Sequence, residues 1–220
     1  MIMAWTPLWQ NVKRTSRPTG RGLRCRVFSG NCYSGSAARV VLPLYKKRRM
    51  ELKNAVDFIK NAVIPVKGTW ADIGAGSGIY TQALDQVLEA GSIIYAADKN
   101  PHMLYRLRLE NCELRIEELD FTRPFTLPPL DGIIMANALH YAPDPEPVLE
   151  KIVACLKPGG RLLMIEYETE RPLQPWIPYP IPFQRFREMA ASVGLQEVRQ
   201  EGQIPSAYGH DHIYLAVAER

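Results

Sequence analysis

A turn of three glycines, Asp72-Ile73-Gly74-Ala75-Gly76-Ser77-Gly78, constrains the fold of this chain more than any other feature. A short apolar run from Thr69 to Ile73 precedes it. Residues 78–90 follow, with Tyr80, Ala83, Leu84, Val87 and Leu88 at helical spacing. Glycines are needed where the backbone must turn sharply and let a ligand lie against it with no Cβ in the way. The helix that follows points its free N–H groups at that place, which favours anionic or polar ligand groups.

The rest of the chain repeats the strand–helix theme. Leu52, Ala55, Val56, Phe58, Ile59 and Val63 predict an amphipathic helix ending before Pro65. Ser92 to Ala97 is an apolar strand closed by Asp98, and Pro101 opens another helix, where its missing donor does no harm. Glu113 to Leu119 alternates charged and apolar residues like a half-exposed strand, whereas Gly132 to Ala136 is continuously apolar, as a strand buried on both faces would be. A helix over Pro145 to Leu156 and the turn Lys157-Pro158-Gly159-Gly160 lead into a strand from Arg161 to Glu166. After a proline-rich loop come a helix, Phe183 to Val193, and strands at Leu195 to Gln200 and His212 to Ala218. The link between these two strands is too short for a helix, so they should pair antiparallel. The pattern predicts an α/β fold: three layers, with a mostly parallel seven-stranded sheet ending in an antiparallel hairpin.

Charge is unevenly spread. Residues 1–50 hold 11 Lys or Arg and no acid, leaving 16 basic against 23 acidic residues in 51–220, a net −7. The folded part therefore lacks the basic balance expected of a nucleic-acid binder. Residues 1–50 read as a basic, disordered extension, or as sequence upstream of a start at Met50. Being rich in Arg and Ser and free of acids, they also fit an organellar transit peptide. Cys25, Cys32, Cys112 and Cys155 show no CxxC spacing and suit reduced thiols in the cytoplasm. No stretch approaches a membrane-spanning length, and the apolar start precedes the positive charges, unlike a secretory signal.

The dinucleotide fingerprint wants G-x-G-x-x-G, but position 79 is Ile and the third glycine comes one residue early. Asp98 lies 20 residues past Gly78, where a carboxylate can accept both hydroxyls of an adenosine ribose, a device that NAD enzymes share. In this context the chain resembles the class I S-adenosylmethionine-dependent methyltransferases, small-molecule type, with their Rossmann-like fold. The resemblance runs from about Thr69 to Tyr167 in motif detail and to the C-terminus in topology. It implies that Asp72, Gly74, Ala75, Gly76 and Gly78 hold the methionine end of S-adenosylmethionine, and that Asp98, with Lys99 beside it, grips the ribose. Asp120 and Phe121 are similar to the pair that meets the adenine, and Asn137-Ala138-Leu139-His140-Tyr141 to the segment lining the methyl-transfer site. Pro158 to Leu162 resembles the family's turn into its fifth strand.

The resemblance implies an enzyme that methylates a small molecule, mainly by positioning it in line with a methyl group already activated as a sulfonium. His140 is the first candidate for a base and Tyr141 the second, although a histidine here also serves to shape the pocket. No Asn-Pro-Pro-Tyr follows the fourth strand, unlike the amino-methylating DNA enzymes. The loop from Arg171 to Phe183, with five prolines and Trp176, Tyr179 and Phe183, serves either as a substrate wall or as a rigid cover. His210-Asp211-His212 lacks a third ligand, so turn chemistry explains it better than a metal, and no metal is expected. Two other functions stay open: an NAD(P)-dependent oxidoreductase, and a protein that binds S-adenosylmethionine without catalysis.

Overall fold

The computed structural model describes residues 50–64, 66–206 and 212–220. Its strands are Thr69–Ile73 (β1), Ile93–Asp98 (β2), Glu113–Glu118 (β3), Leu130–Ala136 (β4), Leu156–Glu168 (β5), Gln196–Pro205 (β6) and His212–Glu219 (β7). Its α-helices are Leu52–Ile59 (α1), Ile79–Val87 (α2), Pro145–Ala154 (α3) and Phe183–Ser192 (α4). The strands form one sheet in the order β3-β2-β1-β4-β5-β7-β6. The first five are parallel, β7 runs antiparallel to β5, and β6 pairs antiparallel with β7 on the outside. The expected α/β sheet with its closing hairpin is what the chain forms.

Alternation along the central strands sorts side chains to two faces. Ala71, Ile73, Ile133, Met135, Leu162 and Met164 join the buried cluster under α3 and α4, where Leu149, Ile152, Phe186 and Met189 also sit. Trp70, Ile134, Leu163 and Ile165 face the other way, against Ala55 and Ile59 of α1 and Ala83 and Leu84 of α2. The central strands are buried on both faces, which is why they are apolar throughout. Each such Ile or Leu contributes roughly 1.5–3 kcal/mol by leaving water. Gly132 is required by packing: a Cβ there would overlap the Trp70 ring from the neighbouring strand. Asp85 of α2 staples the loop before β3, its carboxylate accepting the N–H groups of Glu110, Asn111 and Cys112 at 2.9, 3.0 and 2.8 Å.

Several boundaries differ from the sequence expectations. Pro101 opens a 3-10 turn, Pro101–Arg106, and not a longer helix, since only Pro101 and Leu104 find a buried place. The second helix stops at Val87, where Leu88 turns extended. Strand β5 begins earlier than expected: Leu156 already pairs with Leu130, and the Pro-Gly-Gly turn is absorbed as an irregularity before Gly132 meets Arg161. Likewise β6 continues to Pro205 through two irregularities opposite β7. The expectations for residues 1–49 and for His210 and Asp211 fall outside the described residues.

Candidate functional site

Order in the sheet reverses at β1: the chain moves outward to β2 and β3, then returns to place β4 on the other side. Beyond the carboxyl ends of the strands at such a switch point there is a crevice, because successive connections leave in opposite directions. The glycine turn lies there. Gly74 and Ala75 donate their N–H groups to the Ala97 carbonyl at the end of β2, at 2.8 and 3.1 Å, which ties the turn to the neighbouring strand.

The three glycines do different work, although all have a positive φ, of 76°, 55° and 77°. A Cβ on Gly74 would lie 2.6 Å from the Ala138 Cβ and 3.6 Å from Phe121 Cε1, so Gly74 lets the loops after β3 and β4 close on the turn. A Cβ on Gly78 would overlap Leu107, which packs against the start of α2. On exposed Gly76 it would meet nothing nearer than the Gly74 carbonyl oxygen at 4.0 Å. Packing therefore explains the first and third glycines, and the middle one faces open space.

The carboxylates ring that space in different states. Asp72, at 1% exposure, accepts the Thr81 hydroxyl at 2.6 Å, and burial pushes its carboxyl up to about 7 despite that bond. Asp98 is half-buried. Its Oδ2 accepts the Gly76 N–H and its Oδ1 the Asn100 N–H, each at 2.8 Å, which aims the carboxylate and leaves lone pairs free for a ligand. Asp120 uses Oδ1 to accept the N–H and hydroxyl of Thr122, at 3.0 and 2.6 Å, and these bonds hold it below the usual carboxylate range. The charges of Arg123 and Lys99 add to that effect. Phe121 is half-buried, and its carbonyl accepts Lys151 Nζ at 2.9 Å.

At the end of β4, Asn137 adopts φ 50° and donates its N–H to the Ile165 carbonyl at 2.7 Å, while its Oδ1 is buried without a partner. Leu139–Tyr141 forms a short 3-10 turn that places His140 inward at 1% exposure and Tyr141 outward at 48%. His140 Nδ1 lies 2.6 Å from Oε2 of Glu166, which is fully buried at the end of β5. Oε1 of Glu166 accepts the N–H groups of Ala138 and His140 at 3.1 and 3.2 Å. His140 Nε2 and the Tyr80 hydroxyl are buried without partners. Leaving such an atom bare costs about 1–3 kcal/mol, so three of them near one crevice invite a ligand.

The structure thus gathers the glycine turn, Asp98, Asn137, Ala138 and His140 around the carboxyl edge, with Phe121 against Gly74 and Tyr141 at the rim. Sequence reasoning missed Glu166, Thr81 and Tyr80. Glu166 had a signal, being a carboxylate that ends the apolar run Leu162 to Ile165. Thr81 and Tyr80 lay inside a helix whose apolar spacing concealed their polar atoms.

Comparison with known proteins finds likenesses in sequence and in fold. A family model described as a methyltransferase domain matches residues 71–162, from β1 into β5. The chain is 29% identical over 116 residues to a ubiquinone biosynthesis O-methyltransferase of Xylella fastidiosa, covering 50% of this chain and 46% of that protein. It therefore spans about half the length of the curated relatives it matches. Among solved structures it resembles Burkholderia thailandensis 1,6-didemethyltoxoflavin-N1-methyltransferase with bound S-adenosylhomocysteine, at TM-score 0.62, 20% identity and 77% coverage of both chains. It also resembles human N-acetylserotonin methyltransferase in complex with SAM, at TM-score 0.55 and 18% identity, covering 77% of this chain and 54% of that one. At those identities the likeness to solved structures is one of fold, and the match over residues 71–162 is to a methyltransferase domain.

Proposed function

We propose that this chain transfers the methyl group of S-adenosylmethionine to a small-molecule acceptor, with residues 51–220 as the catalytic domain. One observation carries the reading: Gly76 opens onto free space beside a carboxylate that its own N–H helps to aim. The residues fit the cofactor. Asp98 offers lone pairs to the ribose hydroxyls, with Lys99 next to it. Phe121 and Asp120 stand one strand further out for the base. Asp72 with Gly74, Ala75, Gly76, Gly78, Asn137 and Ala138 surrounds the place for the methionine end. S-adenosylmethionine supplies a sulfonium-activated methyl group, so the protein has chiefly to align the acceptor and take up its proton. Burial favours the protonated Asp72 carboxyl, and a cationic ligand nearby would favour its ionised form.

His140 is the candidate base and Tyr141 the second. The loop of Trp176 and Tyr179 serves as acceptor wall, supported by the Tyr179 N–H that reaches the His140 carbonyl at 3.1 Å and by 67% exposure of Trp176. Nucleic acid is not the partner in this reading, given the net −7 of residues 51–220. No helix among the described residues is long and apolar enough to cross a membrane. The unpaired thiols of Cys112 and Cys155 support a cytoplasmic setting.

Calorimetric titration tests the proposal. S-adenosylhomocysteine should bind at micromolar concentration and a nicotinamide dinucleotide should not. Uptake of the dinucleotide alone would make the chain an oxidoreductase. Binding of S-adenosylhomocysteine with no methyl transfer to any of a broad acceptor set would make it a non-catalytic binder.

A further inference from the structure

We propose that a small pocket near the amino ends of the central strands, away from the glycine turn, binds a free apolar carboxylate through the side-chain N–H groups of Trp70 and Arg161. The inference goes beyond the methyltransferase reading and does not rest on it.

Trp70 of β1, Gly132 of β4 and Arg161 of β5 are successive partners across the sheet, so these positions share the face that α1 and α2 cover. The stems of Trp70 and Arg161 stand two strand spacings apart, roughly 10 Å. Gly132 puts no side chain between them, and the indole lies in the gap: a Cβ on Gly132 would be 2.4 Å from Trp70 Cη2. Arg161 Nη1 donates to the Ala62 carbonyl at 3.3 Å, and Nη2 lies 2.8 Å from Glu219 Oε1. Those contacts fix the guanidinium and leave its Nε–H over. Nε1 of Trp70 and Nε of Arg161 are both buried with no partner among the described residues. Each nitrogen can only donate. Two buried donors therefore lack an acceptor, a state that folded proteins rarely leave uncorrected.

Both residues line one pocket of about 180 Å³. A space of that size holds a single six-membered ring or a chain of similar bulk. Exposed Ile64 and Val66, with Pro158, give it apolar surface. Its charged lining is Arg161 and Lys157 against Asp131 alone. Asp131 is already engaged on both oxygens: Oδ1 accepts Lys157 Nζ at 2.7 Å and Oδ2 the Thr69 N–H at 2.8 Å. The lining thus holds spare donors and surplus positive charge, with no uncommitted anion to meet them. A carboxylate supplies what is missing, with acceptor oxygens for the two N–H groups and a charge-assisted bond to Arg161. Water would meet the same donors without using the apolar surface, and is the competing occupant.

The probe is benzoate, added at constant ionic strength to the 15N-labelled full chain. NMR reads Trp70 Nε1–H and Arg161 Nε–H separately, once triple-resonance experiments have assigned them. Both proton signals should move downfield together and saturate at millimolar benzoate, with or without S-adenosylhomocysteine present. Benzamide has the same shape without the charge and should bind at least about tenfold more weakly. Trp70→Phe and Arg161→Lys should each raise the benzoate Kd about tenfold. Signals that stay in place in wild type, or movement of only one of them, leave water as the donors' partner and overturn the proposal, even if neither variant folds. Equal shifts with chloride, equal affinity for benzamide, or a folded variant that binds benzoate like wild type refute it as well.

Discussion

Replacing Gly76 and Gly78 separately by alanine should divide binding from folding within one turn. Both have φ in the left-handed region, where a non-glycine residue costs about 1–2 kcal/mol. At Gly76 that is the whole cost, because the new methyl would have no neighbour closer than 4.0 Å. For a chain of this length it corresponds to a loss of about 2–8 °C in Tm. At Gly78 the methyl also overlaps Leu107 and approaches Leu104 Cδ2 to 3.2 Å, which adds an overpacking cost of about 1–3 kcal/mol. The sum, roughly 2–5 kcal/mol, lowers Tm by about 4–20 °C. Binding should rank the other way among folded molecules. The Gly76→Ala methyl stands where a ligand would lie against the main chain, and should raise the Kd for S-adenosylhomocysteine at least about tenfold, or 1.4 kcal/mol. Scanning calorimetry gives the first pair of numbers and isothermal titration the second. The reasoning fails if Gly76→Ala binds like wild type, or if it destabilises the fold as much as Gly78→Ala.

Three further outcomes follow from the same geometry. Asp98→Ala should weaken S-adenosylhomocysteine binding by tenfold or more, as the aimed carboxylate is lost, and an unchanged titration would remove Asp98 from the site. Asp85→Ala strips three backbone N–H groups of their acceptor and should cost about 3 kcal/mol in urea unfolding, whereas a loss under 1 kcal/mol would show that water replaces the carboxylate easily. Asp72 binds its proton more tightly folded, at about 7, than unfolded, near 3.8, because burial disfavours the charge. Stability should therefore fall as pH rises between those values, by up to about 1.4 kcal/mol per pH unit, and level off above 7. Asp72→Asn should remove that part of the slope, and identical pH profiles for the two proteins would refute the assignment.

The sheet was legible because parallel strands buried on both faces must be apolar, and Gly132 to Ala136 or Leu162 to Ile165 hardly read otherwise. The glycine turn was legible for a related reason: few uses of three alternating glycines between a strand and a helix exist. What stayed hidden depends on contacts far apart in the chain. Glu166 and His140 are 26 residues apart and meet only because β4 and β5 pair from Gly132–Arg161 through Ala136–Ile165. Tyr80 reads as an apolar helix position and is buried as such, but spacing shows the ring and not its bare hydroxyl. The turn after Asp98 was read as a longer helix because Pro101 is a good first residue, yet a start signal cannot supply the buried side chains that would prolong it. The reach of β5 back to Leu156 was lost because Pro-Gly-Gly marks a bend, and a bend can also lie within a strand that keeps its pairing.

Strand β7 follows β6 in sequence but lies inside it, wedged against β5. There Tyr214 stands opposite Glu166, fully buried, and its hydroxyl reaches across to the Ile181 carbonyl at 2.9 Å. A residue from the far end of the fold therefore braces both β5, the strand that carries the carboxylate, and the proline loop that follows it. Until that strand slots in, the outer margin of β5 is bare and the crevice has no firm wall on this side. Damage to the hairpin should thus reach the chemistry first and the glycine turn last.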